Sequence, residues 1–238
     1  MLLPYGDSLT AGRAFIGVWL LLAILLSLDV PAFLVPGLEV WSVDNLGFVP
    51  AYFSISPWSH IYTLITSALV HGDIFHLLGN CLFLWVFGRS LERLFGLPLF
   101  LLTFPFLGVV GLLAQWALYP ASGAPVIGAS GAIAVLMGAY LTLFPGARMK
   151  MVLFLGVAFK RFQVPAWLFL LYWGGLQILS LLLSSGSHDN VAYAVHIGGF
   201  AAGAMAAMIW KVSYPFAEER LAAFVQTAFR AKTLASNP

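Results

Sequence analysis

Apolar residues fill six stretches of this 238-residue chain almost without interruption, and the polar and turn-forming residues collect between them. The first stretch, residues 14–35 behind Arg13, is long enough to cross a bilayer core, which takes about 20 helical residues. It exceeds the apolar region of a signal peptide, and no clear small-residue cleavage site follows it, so it reads as a membrane helix. Residues 36–60 mix Trp41, Phe48, Tyr52, Phe53 and Trp58 with Gly and Pro and carry no Lys or Arg, a composition suited to the membrane interface. A second helix is predicted over 74–88, with an earlier helical piece over 57–70, and it closes on Arg89-Ser90-Leu91-Glu92-Arg93. A third covers 97–119. After an uncharged connection rich in Pro, Gly and Ser (120–127), a fourth runs over 130–144 and is stopped by Pro145-Gly146. Residues 148–165 are basic with an apolar middle too short to span, and are expected at the interface or in a loop. A fifth helix is expected over 166–184, a turn over 185–190 and a sixth helix over 191–210. In the tail, Leu221, Phe224, Val225, Ala228 and Phe229 recur at helical spacing, which predicts an amphipathic helix on a membrane surface or partner.

Composition turns this pattern into a class. Hydrophobic residues make up 61% and charged residues 8%, with a mean hydropathy of +0.96; an ordinary soluble domain carries about 25% charge. The chain is therefore expected to be an all-α, multi-pass membrane protein embedded in a lipid bilayer, and a net charge of +2 gives no indication of a nucleic-acid partner. Cys81 is the single cysteine, which allows neither an internal disulfide nor a cysteine metal site, and it reads as a small buried hydrophobe. The eleven basic residues fall at Arg13, at Arg89 and Arg93, at Arg148, Lys150, Lys160 and Arg161, and at Lys211, Arg220, Arg230 and Lys232. These groups alternate with connections that have none. By the positive-inside rule six spans put them all on one side, with both termini cytoplasmic, whereas five or seven would split them. The expected organisation is a short N-terminus (1–12), a membrane domain (13–211) and a cytoplasmic tail (212–238), in a bacterial inner membrane.

Within the apolar segments a few polar residues stand out, and at membrane depth such residues are functional candidates by default. Ser130 lies in Gly128-Ala129-Ser130-Gly131-Ala132, and His71, His76, Asn80 and His196 lie in or at the edge of other spans. Taken alone, the small residues around Ser130 would serve close helix packing. The six-span topology, however, brings a hydroxyl, imidazoles and an amide to similar heights: His196 lies on the order of 20 Å from Lys211, and Asn80 and His76 about 14 and 20 Å from Arg89. A serine hydroxyl becomes a nucleophile when a base within hydrogen-bond reach takes its proton. His196 is the candidate base, because Gly199 and Gly203 on its own helix would allow tight packing against the serine's helix. Gly128 and Gly131 would leave room for a substrate carbonyl. His76 and Asn80, four residues apart, could supply donors to an oxyanion together with the Ser130 N–H.

His71, His76 and Asn80 in helix two, Gly128-Ala129-Ser130-Gly131 in helix four, and His196 followed by Gly199 and Gly203 in helix six resemble the rhomboid family of intramembrane serine proteases. Gly88 ahead of Leu91-Glu92, and Pro57-Trp58, are similar to further landmarks of that family. The resemblance covers about 57–210. It implies a six-transmembrane-helix rhomboid-like bundle with an interfacial first outer loop, a Ser130–His196 catalytic dyad with no third carboxylate, oxyanion stabilisation by His76 and Asn80, and support from His71, Gly128, Gly131 and Gly199. It implies no metal and no cofactor, and as substrates transmembrane proteins with helix-weakening residues near the outer membrane face. The chain departs from the pattern where many members have a Trp-Arg pair, since Trp41 and Trp58 are followed by Ser42 and Ser59. It departs again at Ala134, where some members carry an aromatic that packs on the histidine, and at Val195, where Ala precedes the histidine.

Other readings have less support. Asp73 and Asp189 could form an aspartyl pair but sit in loops, and His71, His76 and His196 lack a zinc-binding run. His60 and His188 are expected to be solvated. A transporter or channel would need polar groups through the full depth, and the inner halves of helices four and six are apolar. A non-catalytic rhomboid-like binding factor would normally have lost the serine or the histidine. Lateral access for substrate is expected past the first loop or between helices two and five, whose facing bulky residues include Phe83, Trp85, Trp167 and Trp173.

Overall fold

A computed structural model describes residues 2–10, 15–156, 158–183 and 192–236, with side chains through residue 228. Arg13, the 185–190 turn with His188 and Asp189, and the side chains of Phe229, Arg230 and Lys232 lie outside the described residues. The membrane part is a helical bundle. Strand β1 (Leu2–Asp7) leads to α1 (Ile16–Leu34), and the first loop folds into short helices α2 (Leu38–Leu46), α3 (Pro50–Ile55), α4 (Pro57–His60) and α5 (Thr63–Thr66). The second span runs from α6 (Ile74–Phe83) through a π-helical segment (Leu84–Gly88) into α7 (Arg89–Phe95). It is followed by α8 (Leu97–Leu118), α9 (Ser130–Leu143), strands β2 (Arg148–Leu155) and β3 (Ala158–Pro165), α10 (Ala166–Leu183), α11 (Tyr193–Ser213) and α12 (Ala217–Ser236).

Among the described residues five helices are long and apolar enough to cross a membrane: α1, the combined α6–α7, α8, α10 and α11. The sixth, α9, has 14 residues and is the most buried helix of the bundle. At about 1.5 Å per residue it reaches roughly 21 Å, short of a bilayer core. The connection before α9 makes up the difference by dipping into the protein: Phe48 and Val126 exchange backbone hydrogen bonds, Gly128 N donates to Ser67 O, and Ala129 is fully buried. The N-terminus of α9 is thus delivered below the outer loops.

Small residues set the packing of α9 on α11. A methyl group added at Gly203 would meet the carbonyl of Val135, one at Gly138 the carbonyl of Phe200, and one at Gly199 the Gly131 carbonyl at 2.6 Å. The backbones therefore approach as the Gly199 and Gly203 spacing predicts. Gly131 serves the same contact, since its missing side chain makes room for Val195 and the Gly108 backbone. The room for substrate expected at Gly131 is instead occupied by helix packing.

The helical membrane bundle carries one addition. A three-stranded antiparallel sheet in the order β1-β2-β3 closes one end of the bundle, built from the short N-terminus and the 148–165 stretch expected at the interface or in a loop. Its signal was present in the period-2 pattern, because Met149 and Met151 are buried while Arg148 is exposed and Lys150 half-buried. Leu155 pairs with Ala158 across a tight turn that Gly156 enters at φ +67, a conformation suited to glycine.

Asp7 fixes the sheet to the helices. It is 1% exposed; its Oδ1 accepts from Leu9 N, Thr10 N and Thr10 Oγ1, and its Oδ2 accepts from Ser90 Oγ at 2.6 Å and Tyr140 OH at 2.8 Å. Nearby, Glu92 accepts from Gly17 N and Val18 N at 2.8 Å each and so neutralises the free N–H groups and positive end of α1. The tail helix α12 docks here rather than on a separate surface. Phe224 stacks on Phe144 with centroids 5.1 Å apart, Arg93 lies over Phe224, and Arg220 donates to the Leu94 carbonyl. The described basic residues of α7, β2 and α12 thereby gather at this one end, opposite Ser130.

Candidate active site

Five helices, α6, α8, α9, α10 and α11, and the connection before α9 converge on a cavity of about 810 Å³ whose lining includes His76, Asn80, Gln115, Gly128, Ser130, Trp173 and His196. Ser130 is the first residue of α9, half-buried, and its Oγ lies 2.8 Å from Nε2 of His196 on α11. That distance is a full hydrogen bond between a hydroxyl and an imidazole. The ring has two further partners, both on α10. Nδ1 of His196 lies 2.7 Å from Oε1 of Gln177, and the indole of Trp173 lies against the ring at 5.9 Å between centroids. With Gln177 accepting, the Nδ1–H is occupied and Nε2 keeps the lone pair that faces the serine. Where the chain has Ala134 in place of an aromatic, Trp173 brings an aromatic ring to the histidine from another helix.

His76 and Asn80 arise from one turn of α6, whose start is capped by Asp73 accepting from Phe75 N and His76 N. Asp73 is thus bound up in helix capping. Both side chains face Gly128. At φ +103 this residue holds a left-handed backbone, and a methyl group there would stand 2.7 Å from the His76 imidazole and 3.5 Å from Asn80 Nδ2. Only glycine lets the chain pass this close to the two side chains while turning into α9. The opening turn of α9 also presents N–H groups without intrahelical acceptors, the partial positive charge of a helix start.

His71 lies to one side of Ser130. It is 1% exposed; its N–H donates to Asp29 Oδ1 at 2.9 Å, its Nδ1 bonds Asp29 Oδ2 at 2.8 Å, and its Nε2 accepts from Ala129 N at 3.5 Å. The imidazole therefore bridges α1 to the residue before Ser130. Its ring also stands 5.0 Å from that of His76, edge to face. Among the described residues no three His, Cys, Asp or Glu side chains gather as a metal site, and Cys81 is half-buried against the core.

Three residues here were not singled out from sequence: Asp29, Trp173 as a partner of the histidine ring, and Gln177. Asp29 is the one charged residue of residues 14–35 and Gln177 the one amide of residues 166–184, so each was a polar anomaly inside an apolar run. Of the bulky residues expected between helices two and five, Phe83 and Trp173 line the cavity. Trp85 does not: it packs edge-on against Trp19 of α1 at 5.0 Å and under the Arg89 guanidinium at 4.2 Å, drawn away by that cation. Trp167 sits in the first turn of α10, next to the sheet. The first loop, which lacks the Trp-Arg pair, is held by Ala51 N to Ser122 O, Ser54 Oγ to Pro120 O, and Trp116 Nε1 to Ser54 Oγ.

A sequence-family model described as the Rhomboid domain matches residues 58–212, well over half of the chain. The chain belongs to the rhomboid family. It is 31% identical over 188 residues to RHOMBOID-like protein 12, mitochondrial, of Arabidopsis thaliana, covering 70% of this chain and 53% of the relative. It is 33% identical over 166 residues to Rhomboid protein 1, mitochondrial, of Saccharomyces cerevisiae, covering 66% of this chain and 44% of the relative. A shorter match, 39% over 80 residues, joins it to Rhomboid protease GluP of Bacillus subtilis, covering 34% of this chain and 15% of that protein. The chain spans about half the length of the longer-matching curated relatives. As a rhomboid-family chain with five apolar helices of spanning length, it is a multi-pass membrane protein.

Proposed function

We propose that this rhomboid is an intramembrane serine endopeptidase that cuts transmembrane proteins near one face of the bilayer. The observation that carries the reading is the 2.8 Å hydrogen bond between Ser130 Oγ and His196 Nε2 inside a polar cavity. His196 takes the Ser130 proton as Oγ attacks the scissile carbonyl, then delivers it to the leaving amine; water enters the same cycle to release the acyl group. The developing oxyanion would lie at the α9 N-terminus beside Gly128, within reach of the His76 and Asn80 side chains, so that charge forms where donors already point. Gln115 of α8 offers a further polar group, its buried Oε1 having no partner among the described residues.

A membrane-spanning substrate has its carbonyls bonded within its own helix, so residues of low helix propensity near the cut would ease presentation to Ser130. Access past Phe83 and Trp173 is favoured because α10 is largely exposed along its length. The basic residues at the end opposite Ser130 support a reading with the active site toward the outer face and both termini on the cytoplasmic side, as in a bacterial inner membrane.

The test is cleavage of a fluorogenic transmembrane peptide in proteoliposomes. Ser130→Ala and His196→Ala should each abolish turnover without loss of folded protein, and the double variant should be little worse than either. Undiminished turnover in Ser130→Ala would refute the reading. A non-catalytic binding factor would show neither cleavage nor fluorophosphonate labelling of Ser130 in the unmodified chain.

A further inference from the structure

Two side chains of α10, Trp173 and Gln177, stand one helical turn apart and both meet His196, one at the ring face and the other at Nδ1. We propose that Gln177 is a positioning residue for the general base, a neutral amide that takes the place a carboxylate holds in a three-residue catalytic set. This inference rests on the Ser130–His196 reading and adds a member to it.

The argument starts from the two ring nitrogens. A neutral imidazole carries one N–H, and the ring can serve as base toward Ser130 only in the tautomer with its proton on Nδ1. Gln177 Oε1, at 2.7 Å, accepts that proton and selects this tautomer. The hydrogen bond also fixes rotation about the ring's attachment, and Trp173 closes the remaining face. During reaction the Oγ proton moves to Nε2 as the Oγ–carbon bond forms. The proton then leaves to the amine nitrogen as the carbon–nitrogen bond breaks, and water repeats the sequence in reverse to free Ser130. The Nδ1 proton stays on the imidazole, hydrogen-bonded to Gln177 Oε1 throughout, so no net proton passes to the amide. An amide carbonyl dipole stabilises the transient imidazolium less than a full negative charge would, yet its burial costs far less within the membrane.

The position of Gln177 has a second consequence. Residues along α10 are largely exposed, and the cavity is bounded by α6 on one side and by Trp173 on the other. The side wall of the cavity and the amide that orients the base therefore belong to the same helix.

The test compares Gln177→Leu, which keeps the size and removes the acceptor, with Gln177→Glu, which restores an acceptor and adds charge. The titratable neighbour that acts on His196 from the opposite wall is His76, and both variants leave it in place. In Gln177→Leu, kcat should fall about 10- to 100-fold, as for loss of an orienting partner of a ligand histidine, with KM within about threefold. Labelling of Ser130 by a fluorophosphonate, which needs the base but no transmembrane substrate, should slow in parallel. Gln177→Glu should recover most of the turnover and move the acidic limb of the kcat profile to higher pH, because a carboxylate favours the imidazolium and more alkali is needed to free the base. Turnover and labelling within twofold of the unmodified chain in Gln177→Leu would overturn the assignment. So would equal losses in both variants with an unmoved acidic limb. An unmodified chain that neither cuts nor labels would instead overturn the Ser130–His196 dyad itself.

Discussion

The Asp29–His71 pair allows a sharp prediction, because both partners are almost fully buried, at 3% and 1% exposure, and both of its hydrogen bonds are short. Asp29→Ala removes the acceptor for two donors, the His71 backbone N–H and Nδ1–H. Each buried donor left without a partner costs about 1–3 kcal/mol, and breaking a buried charged or hydrogen-bonded pair by deleting one member costs about 3–5 kcal/mol. The two routes agree on about 4 kcal/mol, which for a chain of this size corresponds to a melting temperature lower by on the order of 10 °C. Asp29→Asn is the more telling change. Its carbonyl oxygen can still accept from the His71 backbone, but the amide presents N–H toward Nδ1 and forces the His71 proton to Nε2. That proton then points at the Ala129 N–H, donor against donor, and disturbs the residue preceding the nucleophile. The expectation is a small loss of thermal stability with a fall in kcat of about tenfold, read by melting in detergent and by peptide cleavage in proteoliposomes. Full turnover in Asp29→Asn would refute the argument that His71 positions the chain at Ser130. A melting point unchanged in Asp29→Ala would refute the energetics.

Two glycine substitutions separate the site from the scaffold. Gly128→Ala should leave the fold in place, as judged by melting temperature within a few degrees, yet lower turnover at least about tenfold, because its φ of +103 and its 2.7 Å approach to the His76 ring leave no place for a methyl group beside the proposed oxyanion site. Gly203→Ala should act in the opposite way, lowering stability by at least about 2 kcal/mol in a thermal or denaturant assay, since the methyl group would meet the Val135 carbonyl on α9 and push two packed helices apart.

The membrane helices were legible because lipid demands long apolar runs, and that demand leaves an unambiguous trace in sequence. The residues of the Ser130–His196 hydrogen bond stood out for a related reason, since both are polar in segments where polarity is costly. What escaped followed from short-range chemistry that periodicity does not report. The sheet was hidden by its mixed composition: Met149 and Met151 alternate with basic residues, but the run is brief and its partner β1 lies more than 140 residues away. The role of Asp7 depends on Ser90 and Tyr140, which only the folded chain brings together. Trp173 and Gln177 sit in a helix whose apolar face toward lipid dominates its composition, so the turn that faces His196 left little trace.

The placement of charge connects these parts. Asp7, Glu92 and Arg220 satisfy backbone and hydroxyl groups at the end of the bundle where the sheet and α12 close it. At the opposite end Asp29 and Asp73 hold His71 and the start of α6. Every one of these side chains ends on a hydrogen-bond donor or acceptor in a neighbouring segment or at a helix start. The proposed Ser130–His196 dyad between the two ends pairs two side chains that need carry no formal charge, and the amide of Gln177 on His196 Nδ1 is neutral as well. A neutral set is what a low-dielectric cavity tolerates at least cost, since an isolated ionised group there would be penalised heavily. Charge would then appear only as the reaction proceeds, on the imidazolium and the oxyanion together, close to the α9 N-terminus and the His76 and Asn80 side chains that can receive it.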